Sequence, residues 1–400
     1  MSLMDGRLFH VALPEDIKKG LTTDIYFLRT KKILDALKMD KSRVVMEVTS
    51  GKLPRDWIWA VFCGLEDVLT LLEGLPVNVF SFPEGTIFKP FDADGLRVPI
   101  IVVEGPYGDF CIYETPLLGL VCQASGIATM AARIRKVAKD KIVIGFGIRR
   151  MHPALAPMID RASYIGGVDG VSSVIGAETI NKRPMGTMPH ALIIVLGEQV
   201  KAWKSFDELI EKDVPRIALV DTFYDEKIEA IMAAEALGDN LYGVRLDTPG
   251  SRKGDFAAIV REVKWELKTR GYGHVKVIVS GGLDDENIPS LVDAGADGFG
   301  VGTSISNAPT IDFAMDIVCL EDKPIAKRGK LSGRKQVWRC EKCQVDYVRL
   351  VGEEEPRCRF CGGETVPMLR KYMDNGRVLI RENVEDIRRR TLSQLEKVQV

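Results

Sequence analysis

The chain has 400 residues, with 55 Lys+Arg against 56 Asp+Glu and a formal net charge of −1. Hydrophobic residues make up 46% and charged residues 28%, which at about 150 residues per domain describes a globular chain of two or three domains and excludes a collagen, a disulfide-stapled miniature scaffold and a wholly disordered chain. The charge balance is uneven: from Ala326 onward there are 18 Lys+Arg and 11 Asp+Glu, against 37 and 45 before it, so a basic C-terminal module follows an acidic body.

Met1-Ser2-Leu3 ahead of Met4 reads as a cloning remnant. Residues 16–38 have the apolar spacing of a helix, with Gly20 near its start. Short apolar runs at Arg43–Val48, Val77–Phe82 and Pro99–Val103, separated by Gly, Pro and Asp, read as strands, with Asp56–Glu73 as a helix between them. From Glu114 the rhythm changes. A helix over Leu117–Lys139 precedes a strand at Lys141–Gly147. Strand-like runs then recur at Ala162–Ser172, His190–Leu196, Ile217–Asp221, Leu241–Asp247, Val275–Ser280 and Gly298–Gly302. Helical stretches separate several of them, including Lys204–Lys212, Asp225–Leu237, Arg252–Arg270 and Asp284–Ala294. Such alternation predicts parallel strands joined by right-handed crossovers.

The predicted fold class is therefore α/β: a TIM-type (β/α) barrel, complete or incomplete, with an N-terminal α+β sandwich-like domain. An open doubly wound sheet competes, but no G-x-G-x-x-G follows the first strand. The expected division is residues 1–113 completed by 311–335, a barrel over 114–310, and a zinc ribbon with a C-terminal helix over 336–400. No apolar run approaches the roughly 18 residues that span a bilayer, and no signal segment opens the chain, so a cytoplasmic protein without membrane contact is expected.

Barrel active sites form at the C-terminal ends of the strands. The predicted strand ends carry Phe146, Arg149 and Arg150, then Asp169, then Asp221, Arg245 and Asp247, while Thr187 and His190 precede or open the third strand. Guanidinium forks suit carboxylate or phosphate, and a carboxylate ending an apolar strand needs a Mg²⁺ ion, a sugar hydroxyl or an arginine. The last two loops, Ser280-Gly281-Gly282 and Gly300-Val301-Gly302-Thr303, are placed to bind phosphate through backbone N–H groups; plain tight turns are the alternative.

Four of the eight cysteines are scattered at Cys63, Cys111, Cys122 and Cys319 and read as buried, reduced side chains. The others form Cys340-x-x-Cys343 and Cys358-x-x-Cys361, the spacing of a closed, structural Zn²⁺ site of four thiolates. Arg334, Lys335, Arg339, Arg357 and Arg359, with Trp338 and Tyr347, surround it; solubilising charge is favoured over a nucleic-acid surface.

The ordered motifs resemble the nicotinate phosphoribosyltransferase family of type II phosphoribosyltransferases, over nearly the whole chain. They are Thr23-Asp24-Ile25-Tyr26, Phe146-Gly147-Ile148-Arg149-Arg150, Tyr164-Ile165-Gly166-Gly167-Val168-Asp169-Gly170, Gly186-Thr187-Met188-Pro189-His190, Val220-Asp221-Thr222 and Arg245-Leu246-Asp247. The resemblance implies phosphoribosyl transfer from phosphoribosyl pyrophosphate (PRPP) to nicotinate, in NAD biosynthesis, with Mg²⁺. It implies that Phe146 and Tyr26 sandwich the pyridine ring, with Tyr26 supplied by the neighbouring subunit of a homodimer or larger homo-oligomer. Arg245 would hold the ring substituent with Asp169 close by, and Thr187 would line the substrate site. Arg149 and Arg150 would sit near the phosphates and the ring. Asp221 and Asp247 would bind ribose hydroxyls directly or through Mg²⁺. Ser280, Gly281, Gly282, Gly300, Gly302 and Thr303 would take the 5′-phosphate. His190 matches the family histidine phosphorylated when ATP hydrolysis is coupled to turnover; a phosphate or ribose contact is its other reading. Quinolinate or nicotinamide as substrate, and a nucleic-acid-binding zinc protein on a degenerate barrel, are the alternatives.

Overall fold

The computed structural model describes residues 8–399, so Met1–Leu3 and the first residues of the N-terminal domain lie outside it. The chain divides into two compact units: residues up to 129 together with 309–399, and residues 130–308.

The first unit is built on a seven-stranded antiparallel sheet. Its order is Lys323–Pro324, Phe313–Leu320, Arg43–Ser50, Pro99–Pro106, Asn78–Ser81, Arg370–Asp374 and Arg377–Val378. Arg43–Ser50 is buried at every position after Arg43 and is paired on both edges, by Phe313–Leu320 and Pro99–Pro106. The helix expected over 16–38 is two helices, Pro14–Lys18 and Ile25–Ala36. Gly20 breaks it with a φ of +68°, and a Cβ there would stand 2.7 Å from Ile112 Cδ1. The helix expected over 56–73 starts only at Leu65, after Gly64 with a φ of 102°.

The cysteine-bearing hairpin, Lys335–Cys340 with Val345–Leu350, was expected in a separate third domain but belongs to the first unit. Buried Arg339 explains why: it pairs with Asp346 at 2.7 Å and donates to Ile87 O at 2.9 Å, while Val348 N donates to Asp92 Oδ2 at 2.7 Å. The ribbon shares polar partners with the sheet domain, and Ala93 also packs against the small cluster of Cys340, Tyr347 and Cys358.

The second unit holds a six-stranded, all-parallel sheet. In chain order the strands are Ile142–Gly145, Gly170–Val171, Ile217–Leu219, Gly243–Leu246, Lys276–Ser280 and Gly298–Val301. They lie in the order second, first, sixth, fifth, fourth, third, so this is an incomplete barrel, open between the second and third strands. The predicted strand that would have lain between these two in sequence, His190–Leu196, is a helix ended by Gly197 at a φ of 77°. Apolar runs this short do not distinguish a strand from a helix turn. Likewise 162–166 closes the helix Ala156–Gly166, and the strand begins only at Gly170.

Among the described residues one helical stretch, Tyr107–Ala138, is long and apolar enough to cross a membrane, against the expectation of none. Within its apolar window 67% is buried inside the protein, which is the signature of a core helix.

Candidate functional site

Beyond the C-terminal ends of the parallel strands, side chains from several separate loops meet. Phe146 follows the first strand, and its ring fills the space a side chain at Gly300 would need: a Cβ there would stand 2.3 Å from Phe146 Cε2. Gly300, expected at phosphate, is thus a buried strand residue whose lack of a side chain seats the ring. Arg245, on the fourth strand, places its guanidinium 6.0 Å from the Phe146 ring centroid and donates from Nη2 to Met188 O at 3.0 Å. Its Nε is buried with no hydrogen-bond partner. A flat ring beside a partly unsatisfied guanidinium is suited to a planar anion.

Two carboxylates lie beside this pair. Asp221 Oδ2 accepts from Asp247 N at 2.8 Å, while Asp221 Oδ1 is buried without a hydrogen bond. Burial first, and the neighbouring Asp247 charge after it, push the Asp221 carboxyl up to about 7. A buried carboxylate oxygen left unsatisfied fits a cation or hydroxyl donor, so Asp221 and Asp247 can hold Mg²⁺. His190 Nε2 stands 3.7 Å from Asp221 Oδ1 and 3.8 Å from Asp247 Oδ2, and its Nδ1 meets Thr222 Oγ1 at 3.0 Å. Burial lowers the His190 pKa, Asp247 opposes that, and Arg245 adds to it. His190 opens a helix instead of a strand, and the fold still brings it to both aspartates.

Ser280 Oγ donates to Asp247 Oδ1 at 2.8 Å. Gly281 and Gly282 follow with φ of +87° and +67°, and a Cβ on Gly281 would stand 3.1 Å from Asp247 Oδ1. Lys253 donates to Gly281 O, and burial lowers its pKa. That puts a cation at the glycine loop which sequence reading missed; the only signal was the basic pair before Gly254. Gly302 precedes the short helix Thr303–Ser306. Arg149 and Arg150 lie exposed in the turn after Phe146, and Thr187 is half-buried beside Met188. Tyr26 lies in the first unit, 55% exposed on the helix Ile25–Ala36.

Asp169 is not part of this group. It precedes its strand: its N–H donates to Val143 O at 2.7 Å, and its Oδ2 accepts from Val143 N at 2.9 Å and pairs with Arg135. Because 156–166 is helical, Asp169 sits where the strand begins and not where it ends. Asp297 repeats the device: it exchanges hydrogen bonds with Val277 and pairs with Lys264 at 2.7 Å. Both aspartates lie in an Asp-Gly step that opens a strand.

The second candidate centre is in the first unit. The Sγ atoms of Cys340, Cys343, Cys358 and Cys361 all lie within 4.8 Å of one another. A tetrahedral Zn²⁺ with Zn–S of about 2.3 Å needs sulfur separations of about 3.8 Å, so the set fits zinc. Cys343 N points to Cys340 Sγ at 3.5 Å, and Tyr347 O–H to Cys358 Sγ at 3.6 Å, as donors that stabilise thiolates. Gln344 and Gly362 turn the two knuckles with φ of 52° and 67°.

The family profile described as "Quinolinate phosphoribosyl transferase, C-terminal domain" matches residues 127–316, and its N-terminal counterpart matches 24–125. The chain is 29% identical to a nicotinate phosphoribosyltransferase of Bacillus subtilis over 391 residues, covering 85% of this chain and 78% of the relative. A crystal structure of a nicotinate-nucleotide pyrophosphorylase from Pyrococcus furiosus superposes with a TM-score of 0.94 at 55% identity, covering 98% of this chain and 100% of that one. Human nicotinic acid phosphoribosyltransferase shares the fold, with a TM-score of 0.72 at 19% identity over 94% of each chain.

Proposed function

Since this chain belongs to the nicotinate and quinolinate (type II) phosphoribosyltransferase family and is a transferase of NAD biosynthesis, we propose that it moves the phosphoribosyl group of PRPP onto the ring nitrogen of nicotinate, giving nicotinate mononucleotide and pyrophosphate. The observation that carries this reading is the Phe146 ring seated on Gly300 beside half-buried Arg245, whose Nε is buried without a partner. Nicotinate would stack on Phe146 with its carboxylate toward Arg245. The pyridine nitrogen is already a nucleophile, so no general base is needed. Loss of pyrophosphate leaves positive charge on the sugar, as in other oxocarbenium-like glycosyl transfers. Asp221 and Asp247 would orient the ribose hydroxyls and hold Mg²⁺, which when bound neutralises the leaving group. Arg149 and Arg150 would meet the diphosphate. Ser280, Gly281, Gly282, Gly302 and Thr303 would hold the 5′-phosphate, with Lys253 beside them.

Tyr26 completes the ring sandwich from a neighbouring subunit in this proposal. Exposed Ile25, Leu28 and Ile33 on the same helix support a homodimer. ATP coupling through phosphorylation of His190 belongs to the proposal too, as does a reducing, cytoplasmic setting, which the four-thiol cluster supports.

Quinolinate is the second reading, favoured by the name of the matching family profile. It carries two adjacent carboxylates, and among the described residues the half-buried Arg245 is the arginine whose guanidinium lies by the Phe146 ring. Incubation with PRPP, Mg²⁺ and either acid decides between them. Mononucleotide from nicotinate without CO₂ release supports the main reading; CO₂ released from quinolinate supports the second; no product from either refutes both.

A further inference from the structure

Thr222 Oγ1 meets His190 Nδ1 at 3.0 Å, so the position of its loop bears on the histidine. Its next two side chains, Phe223 and Tyr224, are 47% and 60% exposed. The backbone is held by one carboxylate. Glu229, on the helix Glu226–Leu237, is fully buried at 0% exposure. Its Oε2 accepts from Thr222 N at 3.1 Å, and its Oε1 accepts from Phe223 N at 2.7 Å and Tyr224 N at 2.9 Å. Three consecutive N–H groups converging on one ion form a rigid, charge-assisted clamp. Asp225 caps the same helix by accepting from Ile228 N at 3.0 Å, so the loop's far end is fixed as well.

We infer that Glu229 is a positioning residue: it fixes the loop after Asp221 so that Thr222 Oγ1 holds the His190 ring with Nε2 between the Asp221 and Asp247 carboxylates. No sequence motif marked Glu229, which lies seven positions beyond Thr222 and inside a helix. The inference takes its functional meaning from the phosphoribosyl-transfer reading, but the geometry it asserts is independent of that reading.

Glu229→Gln makes a directed test. The amide oxygen can keep Phe223 N and Tyr224 N, while the new NH₂ faces the Thr222 N–H, donor against donor, and releases Thr222. In the full-length protein, Glu229→Gln and Thr222→Val should change the His190 ring ¹⁵N resonances in the same sense, and Thr222→Ser should recover what Thr222→Val loses. Turnover should fall about tenfold to hundredfold in Glu229→Gln, with the KM for nicotinate changed much less. The double variant should be no worse than the poorer single one, since both break one linkage. If Glu229→Gln does not fold, Glu229→Asp shortens the reach of the clamp and keeps its charge. A folded Glu229 variant with unchanged His190 resonances overturns the inference, and so do additive losses in the double variant. Wild-type protein that forms no mononucleotide would refute the functional reading alone, because the ¹⁵N comparison still decides the clamp.

Discussion

Gly300→Ala tests the ring platform with a single methyl group. Gly300 has no left-handed φ, so alanine meets no backbone strain. The added carbon would stand 2.3 Å and 2.5 Å from two Phe146 ring carbons and 3.2 Å from Ser280 Cβ. Carbon contacts settle at about 3.5 Å or more, so the ring must retreat by about 1 Å. Overpacking of this kind costs about 1–3 kcal/mol. At about 2–4 °C per kcal/mol for a unit of this size, the melting temperature should fall by roughly 2–12 °C. Function should suffer more, because the ring that retreats is the one beside Arg245 and a misplacement of about 1 Å can cost about a hundredfold. Melting scans and steady-state kinetics with nicotinate, with and without Phe146→Ala, read both effects. In the Phe146→Ala background the penalty of Gly300→Ala should largely vanish. If the penalty is the same with and without the ring, or if Gly300→Ala leaves melting and kinetics unchanged, the platform reasoning is refuted.

Three further outcomes are expected. Burial pushes the Glu114 carboxyl in the first unit up to about 7, with Asp316 adding to the shift and Lys327 opposing it. Its folded pKa lies above the unfolded value of 4.5, so the folded state binds the extra proton and this group's contribution to stability falls as pH rises from about 4.5 through 7. Glu114→Gln should remove that slope and raise the melting temperature at pH 8 relative to wild type; a slope that persists would show that another group causes it. Asp169→Ala leaves Arg135 and the Val143 N–H short of a partner and should cost about 1–3 kcal/mol in denaturant unfolding, with KM values unchanged. A raised KM with normal stability would return Asp169 to the substrate site. Cys358→Ser should abolish stoichiometric zinc by metal analysis and lower the melting temperature of the first unit, while a chelator reproduces the loss in wild-type protein. Full zinc content in the variant would show that the four thiols are not the site.

Much of this protein was legible in the chain itself, where the signal is local. Two Cys-x-x-Cys pairs fix a four-sulfur cluster because each knuckle is a short turn that brings its own two ligands together, and the structure needs only one hairpin to join them. Alternating apolar strands and helices dictate a parallel sheet, because a strand that must run the same way as its neighbour needs a crossover. Ordered short motifs pointed to the family. What the chain did not disclose depends on partners far along it. His190–Leu196 has strand-like composition, but Gly197 ends it as a helix and the sheet stays open at that edge. Asp169 follows an apolar run that has the form of a strand, but that run is helical and puts Asp169 at a strand's beginning. The sequence around Gly300 has the form of a phosphate loop, and only packing makes its missing side chain the seat of Phe146. Glu229 and Lys253 carry no motif at all; their importance lies in which backbone groups they reach, Thr222 N and Gly281 O. Periodicity and spacing specify elements and compact turns, whereas the direction of a side chain at a site is settled by non-local packing and by the need to satisfy every buried polar group.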